Sequence, residues 1–222
     1  MKKIVLFQTS MVSFETLNRL FGEIVPEAKV SNLLDEDLLS TMNLNKGITT
    51  SVIQRVVQYC IFAEAAGADM IFSQCSSTRE GIECARKMVS IPIVMIDDAM
   101  AEKAVATGVR IGVAGTAVPP IKPTAAGLSS FAKAEGKSIE VKTYLVEGAL
   151  DALLKEKNRE KHDRLILDLL KKAEKENDII VLAQGSMITL EPYLSQIAIP
   201  VLTSPRLGVQ RARSILLGEG SV

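Results

Sequence analysis

Histidine occurs once in the 222 residues, tryptophan never, and cysteine three times, while 26 Lys+Arg cancel 26 Asp+Glu. One histidine cannot anchor a Cys₂His₂ zinc site, and three scattered cysteines make no disulfide framework. A formal charge of zero with pI ≈ 6.6 supplies no basic face for nucleic acid or an anionic membrane. No uninterrupted apolar run of roughly 18 residues is present, so no segment reads as a membrane-spanning helix. The start, Met1-Lys2-Lys3 before Ile4 to Phe7, has the basic end of a signal peptide, but Gln8-Thr9-Ser10 closes its apolar stretch too soon. Glycine-rich phosphate loops are missing as well, since Gly112, Gly115 and Gly185-Ser186 fit neither familiar spacing. Disorder is excluded by a mean hydropathy of +0.22 and a charged fraction of 23%. These absences leave a soluble, reducing, cytoplasmic protein large enough to bury its own core.

What is present is a regular alternation. Short β-branched runs read as strands at 4–7, 29–34, 70–73, 91–96, 110–114, 139–145, 178–183 and 199–203. Between them lie amphipathic stretches such as Val52 to Ala66 and Asp163 to Glu176, with apolar residues three and four apart. Alternating strand and helix predicts an α/β fold with mostly parallel sheets covered on both faces.

The chain also repeats itself. Ala68 to Cys75 (ADMIFSQC) resembles Asn177 to Gln184 (NDIIVLAQ), Ile91-Pro92-Ile93-Val94 resembles Ile199-Pro200-Val201-Leu202, and Ile4 to Thr9 resembles Ile111 to Thr116. Three anchors in one order at nearly one offset point to two pseudo-symmetric lobes. Lobe one is expected to hold residues 1–97 plus 205–222, and lobe two residues 98–204. Ligands in open parallel sheets bind beyond the carboxyl ends of the strands. The repeat therefore nominates a cleft between the lobes, lined by Thr9, Ser10, Cys75, Ser76, Ser77 and Thr78 from one, and Thr116, Ala117, Gln184, Gly185, Ser186 and Met187 from the other. Hydroxyls and backbone N–H groups at helix starts suit a carboxylate, and the same residue types also serve as ordinary helix caps.

Cys75 ends a strand and precedes Ser-Ser-Thr and a helix, a setting that draws a thiol toward thiolate; a small buried hydrophobe is the other reading of it. Cys60 and Cys84 sit inside helical patterns and read as buried hydrophobes. His162 lies among charges (Lys155 to Arg164) and is expected to be solvated, against a Cys/His hydrolase. Asp97 and Asp98 follow a strand and either face the cleft or cap the next helix. Asp35-Glu36-Asp37 with the polar run Thr41 to Thr50 reads as a long connection fit to be a lid. Arg79 and Arg206 are each either a second carboxylate anchor or a surface charge.

Two lobes related by a repeat, with a cysteine at the same strand end in each, mark the cofactor-independent aspartate/glutamate racemase superfamily. That group includes aspartate, glutamate and hydantoin racemases, maleate isomerase and arylmalonate decarboxylase. This chain resembles it over nearly its full length, in Thr9-Ser10, the ADMIFSQCSS segment around Cys75, Ile-Asp97-Asp-Ala-Met, Gly-Val-Ala-Gly-Thr116, Val-Leu-Ala-Gln184-Gly-Ser-Met and Ser204-Pro205-Arg206-Leu. The resemblance implies a homodimer that uses no cofactor and no metal and acts on a small carboxylic or amino acid. It also implies proton transfer at Cα by two thiols on opposite faces, with hydroxyls and amides stabilising the carbanion. Cys75 matches the first thiol, whereas the second falls on Gln184, and an amide neither takes nor gives that proton. The resemblance thus leaves three readings: Cys75 acting alone in isomerase or decarboxylase chemistry, Cys75 acting with water or a hydroxyl of Thr116 or Ser186, or a bilobed binding or sensing protein without catalysis. A redox-sensing thiol is a further alternative. Thr9, Ser10, Ser76, Ser77, Thr116, Gly185 and Ser186 are the expected substrate ligands, with Gln184 donating a hydrogen bond.

Overall fold

The computed structural model describes residues 1–219. From the N-terminus run β1 (Lys2–Gln8), α1 (Phe14–Ile24), β2 (Ala28–Leu34), α2 (Glu36–Leu44), α3 (Thr50–Ala65), β3 (Met70–Ser73), a 3₁₀ turn (Ser76–Thr78), α4 (Arg79–Ala85) and β4 (Ile93–Met95). There follow α5 (Asp98–Thr107), β5 (Arg110–Gly115), α6 (Val118–Ala134), β6 (Glu140–Leu145), α7 (Ala149–Leu154), α8 (Arg159–Ala173), β7 (Ile179–Leu182), a 3₁₀ segment (Gly185–Gln196), β8 (Val201–Leu202) and α9 (Ser204–Leu217). The chain divides into two compact units, Met1–Asp97 with Pro205–Val222, and Asp98–Ser204. Each contains one four-stranded parallel sheet, ordered β2-β1-β3-β4 in the first unit and β6-β5-β7-β8 in the second. The α/β class and the parallel sheets flanked by helices agree with the reading of the sequence.

Alternation along the strands sends side chains to opposite faces of each sheet. In the first unit Val5, Phe7 and Ile71 join Leu38, Met42, Val52, Val56, Cys60 and Ile82 in one core cluster. On the other face Phe72 meets Phe21 of α1 edge-on, with ring centroids 5.1 Å apart. In the second unit Ala114, Ile180 and Leu182 pack with Ile166, Leu170 and Met187.

The two sheets repeat their fastenings. Asp69 N–H donates to Lys3 O and Asp178 N–H to Arg110 O, each at 2.8 Å, while Ile71 N–H and Ile180 N–H donate to Pro92 O and Pro200 O, each at 3.0 Å. The carboxylates of Asp69 and Asp178 turn back to accept from the N–H of Lys3 and Arg110, both at 2.8 Å. Pro92 and Pro200 also explain why β4 and β8 start two residues later than the apolar runs 91–96 and 199–203. Proline has no N–H to give, so it accepts a bond just ahead of the strand without entering the ladder.

Two expectations are corrected here. The stretch expected to be a lid is mostly helix: α2 occupies residues 36–44, leaving only 45–49 as the connection to α3. Asp35 starts α2 by accepting from Asp37 N–H, and Leu38 and Met42, one turn apart, are buried. Asp35 is then clamped by Arg55 and by Tyr59, whose hydroxyl donates at 2.6 Å. Burial alone would raise the Asp35 carboxyl, but these bonds outweigh it and hold it below the usual range. His162 is not solvated; it is 5% exposed. It belongs to the inward stripe His162, Ile166, Leu170, Ala173 of α8, and the charges around it in sequence occupy the helix's other faces.

Candidate active site

Parallel strands deliver their carboxyl ends to one edge of each sheet, and the nominated residues follow those ends. In the first unit, β1 ends at Gln8 and is followed by Thr9 and Ser10, while β3 ends at Ser73 and is followed by Gln74 and Cys75. Gln74 N–H donates to Phe7 O at 2.9 Å, extending the β1–β3 ladder by one step. Cys75 is then extended (φ −110°, ψ 114°) and stands at the start of the Ser76–Thr78 turn. That turn is tied down twice: Thr78 N–H reaches Cys75 O at 3.2 Å and the Thr78 hydroxyl reaches the same oxygen at 2.7 Å.

Cys75, Ser76 and Ser77 are all half-buried, on the boundary between core and solvent. Cys60 is enclosed instead, and burial pushes its thiol up to about 12. Cys84 is half-buried and so less enclosed than its helical pattern suggested.

Thr9 is buried, and its N–H donates to Gln74 Oε1 at 3.3 Å, while Gln74 Nε2 lies 3.5 Å from Ser10 Oγ. The part Gln74 plays escaped the sequence reading. Its signal was the match of Thr9 with Thr116, which asks what satisfies each of the two threonine N–H groups.

The second unit repeats the backbone with different side chains. Ala183 N–H donates to Ala114 O at 2.8 Å, and Gln184 is extended (φ −124°, ψ 127°) at the head of the 3₁₀ segment that begins with Gly185 and Ser186. Gln184 thus stands where Cys75 stands in the first unit. Its Oε1 accepts from Thr116 N–H at 2.7 Å and from the Thr116 hydroxyl at 3.0 Å. Gly115 leaves the space for this contact: a Cβ there would lie 3.4 Å from Gln184 Oε1 and 2.9 Å from Ile121 Cγ1. Gly185 is half-buried and Ser186 exposed.

The acidic pair after β4 divides its duties. Asp97 is buried and accepts from Arg79 Nη2 at 2.7 Å, whereas Asp98 is the first residue of α5. Arg79 is therefore engaged with a buried carboxylate of its own unit. Among the described residues no group of three or more His, Cys, Asp or Glu is placed to hold a metal ion, and no helix is long and apolar enough to cross a membrane.

Structures of known proteins share this architecture. An aspartate racemase homologue from Pyrococcus horikoshii superposes with a TM-score of 0.75 at 16% identity, covering 98% of this chain and 100% of its own. Allantoin racemase from Klebsiella pneumoniae gives 0.67 at 17% identity, covering 98% and 89%. Glutamate racemase from Francisella tularensis, solved with D-glutamate, gives 0.68 at 14% identity, covering 98% and 81%. No curated protein matches the chain by sequence. The family model described as Asp/Glu/Hydantoin racemase matches residues 26–212. With most of its length under that match, the chain belongs to the Asp/Glu/hydantoin racemase family.

Proposed function

We propose that this racemase-family enzyme acts on a small carboxylic or amino acid through the thiol of Cys75, without a cofactor. One observation carries the reading. Cys75 is half-buried at the carboxyl end of β3, on a backbone fixed by two bonds from Thr78 to its carbonyl, with the hydroxyls of Ser76 and Ser77 next in the chain. A thiol held this way can exchange a proton with an acidic Cα–H, while nearby hydroxyls and amides stabilise the negative charge that develops on the carboxylate. Ser10, Ser76 and Ser77 supply such donors in the first unit, with Thr9 supporting them through Gln74. Gly185 and Ser186 supply them in the second.

Symmetric two-thiol racemisation is not part of the proposal, because Gln184 occupies the position that corresponds to Cys75 and a carboxamide does not titrate in the physiological range. One thiol suffices for isomerisation, decarboxylation with protonation on one face, or exchange in which water serves the other face. The test is Cys75→Ser, assayed by deuterium incorporation at Cα of D- and L-aspartate, D- and L-glutamate and a set of dicarboxylates in deuterated water. Loss of exchange by at least about 100-fold supports the thiol, in keeping with the size of a general acid–base contribution. Undiminished exchange in the variant sinks it. Binding of a carboxylate without turnover, unaffected by thiol alkylation, would favour a binding or sensing protein instead.

A further inference from the structure

Thr116 was expected to hold substrate, yet both of its donors are already spent. Its N–H and its hydroxyl converge on a single acceptor, Gln184 Oε1, at 2.7 Å and 3.0 Å, and Thr116 itself is only 6% exposed. An amide oxygen gripped by two donors fixes the plane of the carboxamide, and with it the direction of the NH₂ group. No described residue accepts from Gln184 Nε2, and that nitrogen is not among the buried polar atoms left without a partner, so it reaches the surface of its unit.

A second observation bears on the same strand end. A helix start ordinarily offers free N–H groups to an anion. Here α6 begins Val118-Pro119-Pro120 behind an Ala117 that has no capping side chain, so two of its first three residues have no N–H. The second unit thus lacks two of the usual backbone donors beyond β5, and the Gln184 amide is held by Thr116, two residues before that helix start.

We infer that Thr116 is a positioning residue, which holds Gln184 so that Nε2 donates to a carboxylate oxygen of the substrate. Gln184, standing where Cys75 stands in the first unit, is on this account a specificity-determining binding residue that replaces proton transfer with recognition of an acceptor. The inference rests on the proposed function, since it takes a small carboxylate as the ligand.

The experiment uses the full chain labelled with ¹⁵N, with the Gln184 side-chain NH₂ resonances assigned by their loss in Gln184→Leu. The probes are D- and L-aspartate, D- and L-glutamate, malonate and maleate, titrated at constant ionic strength. A bound probe is expected to shift the Gln184 NH₂ pair. Thr116→Val, which keeps the shape but removes the hydroxyl, is expected to move that pair in the free protein and to weaken the probe about 10-fold, the cost of one mispositioned hydrogen bond. Thr116→Ser should return the affinity to within about 2-fold of the original. Gln184→Glu keeps an oxygen for Thr116 to grip but points a second carboxylate oxygen at the probe, and is expected to weaken binding by at least about 30-fold through like-charge repulsion.

The inference is overturned if a probe binds and shifts other resonances while the Gln184 pair stays still. It is equally overturned if Thr116→Val weakens binding without moving that pair, which would make Thr116 a direct ligand. If none of the probes shifts any resonance, the proposed function fails together with it, so the two failures are told apart.

Discussion

Arg79 and Asp97 form an ion pair, Nη2 to Oδ1 at 2.7 Å, that joins the first residue of α4 to the second residue beyond β4. The side chain of Asp97 is 6% exposed and that of Arg79 27%. Arg79 directly follows the turn that carries Cys75, Ser76 and Ser77, so the pair fixes where that turn sits against the sheet. Breaking a fully buried pair costs about 3–5 kcal/mol, and the partial exposure of Arg79 lowers this. Asp97→Asn is therefore expected to lower stability by about 2 kcal/mol in urea denaturation, with an unchanged m-value. A shift within the error of the wild type would show that the pair is solvated in solution.

His162 has no chemical duty on this structure. Its Nδ1 lies 2.6 Å from Asp163 Oδ1, and its ring lies on the inward stripe of α8 with Ile166 and Leu170. His162→Leu keeps the buried volume but gives up the bond to Asp163, and is expected to cost about 1–2 kcal/mol and to leave Cα exchange unchanged. His162→Asp places a charge at a buried position beside Asp163 and should cost more than about 3 kcal/mol. Loss of exchange in a folded His162→Leu protein would make the histidine a catalytic candidate after all.

The parts of the molecule that were legible in the sequence are those governed by periodicity. All eight strands lie at or within a residue or two of the β-branched runs. The inner strands β3 and β7 are buried throughout, as a doubly covered parallel strand must be, whereas the edge strands β2 and β6 alternate with polar residues and none of their residues is fully buried. β4 and β8 begin only after Pro92 and Pro200, and each also stops one residue before its run ends, at Met95 and Leu202. The register of the two sheets follows the repeat closely enough that Cys75 and Gln184 occupy corresponding backbone positions. His162 was misread because a charged neighbourhood along the chain says nothing about one face of a helix; its spacing to Ile166 and Leu170 held the answer. The supposed lid was misread because polar composition masked the pair Leu38 and Met42, one turn apart. The match of Thr9 with Thr116 raised the question of what satisfies the Thr116 N–H, but that Gln184 answers it was out of reach, since a side-chain rotamer and the direction of its amide have no signature in residue order.

Stability below pH 4 is expected to depend on the carboxylates that close the sheets. The Arg110 side chain, helped by the backbone N–H groups of Arg110 and Val109, holds the Asp178 carboxyl at about 2. Asp69, bonded by Lys3 N–H and Lys2 Nζ, is also lowered. A carboxyl with a depressed folded pKa contributes stability that is fully present above its unfolded value near 3.8 and is lost as the pH falls toward the folded value. The native state should therefore lose stability steeply between about pH 4 and pH 2, by linkage to these groups. Asp178→Asn should flatten that part of the profile, in urea midpoints taken every half unit of pH, while the curve above pH 5 keeps its shape. An identical slope in the variant would assign the acid transition to other carboxylates.

Gly208 of α9 packs directly against the backbone that follows β4. A Cβ at this position would lie 2.6 Å from the carbonyl oxygen of Ile96 and 3.1 Å from its Cα. Real Cβ atoms do not come that near backbone, and a carbonyl at the end of β4 cannot swing aside as a side-chain tip can. Ile96 N–H also donates to Ser73 O at 2.9 Å, so moving it pulls on the strand that leads to Cys75. In a helix interior exchanging glycine for alanine ordinarily adds about 1 kcal/mol of stability; here the sign is expected to reverse. Gly208→Ala should destabilise by about 1–3 kcal/mol, the range for overpacking. It should also reduce Cα exchange more than Asp97→Asn does at equal stability loss, because it displaces the backbone that the thiol depends on. A neutral or stabilising effect of Gly208→Ala would mean that α9 stands further from β4 than 2.6 Å allows.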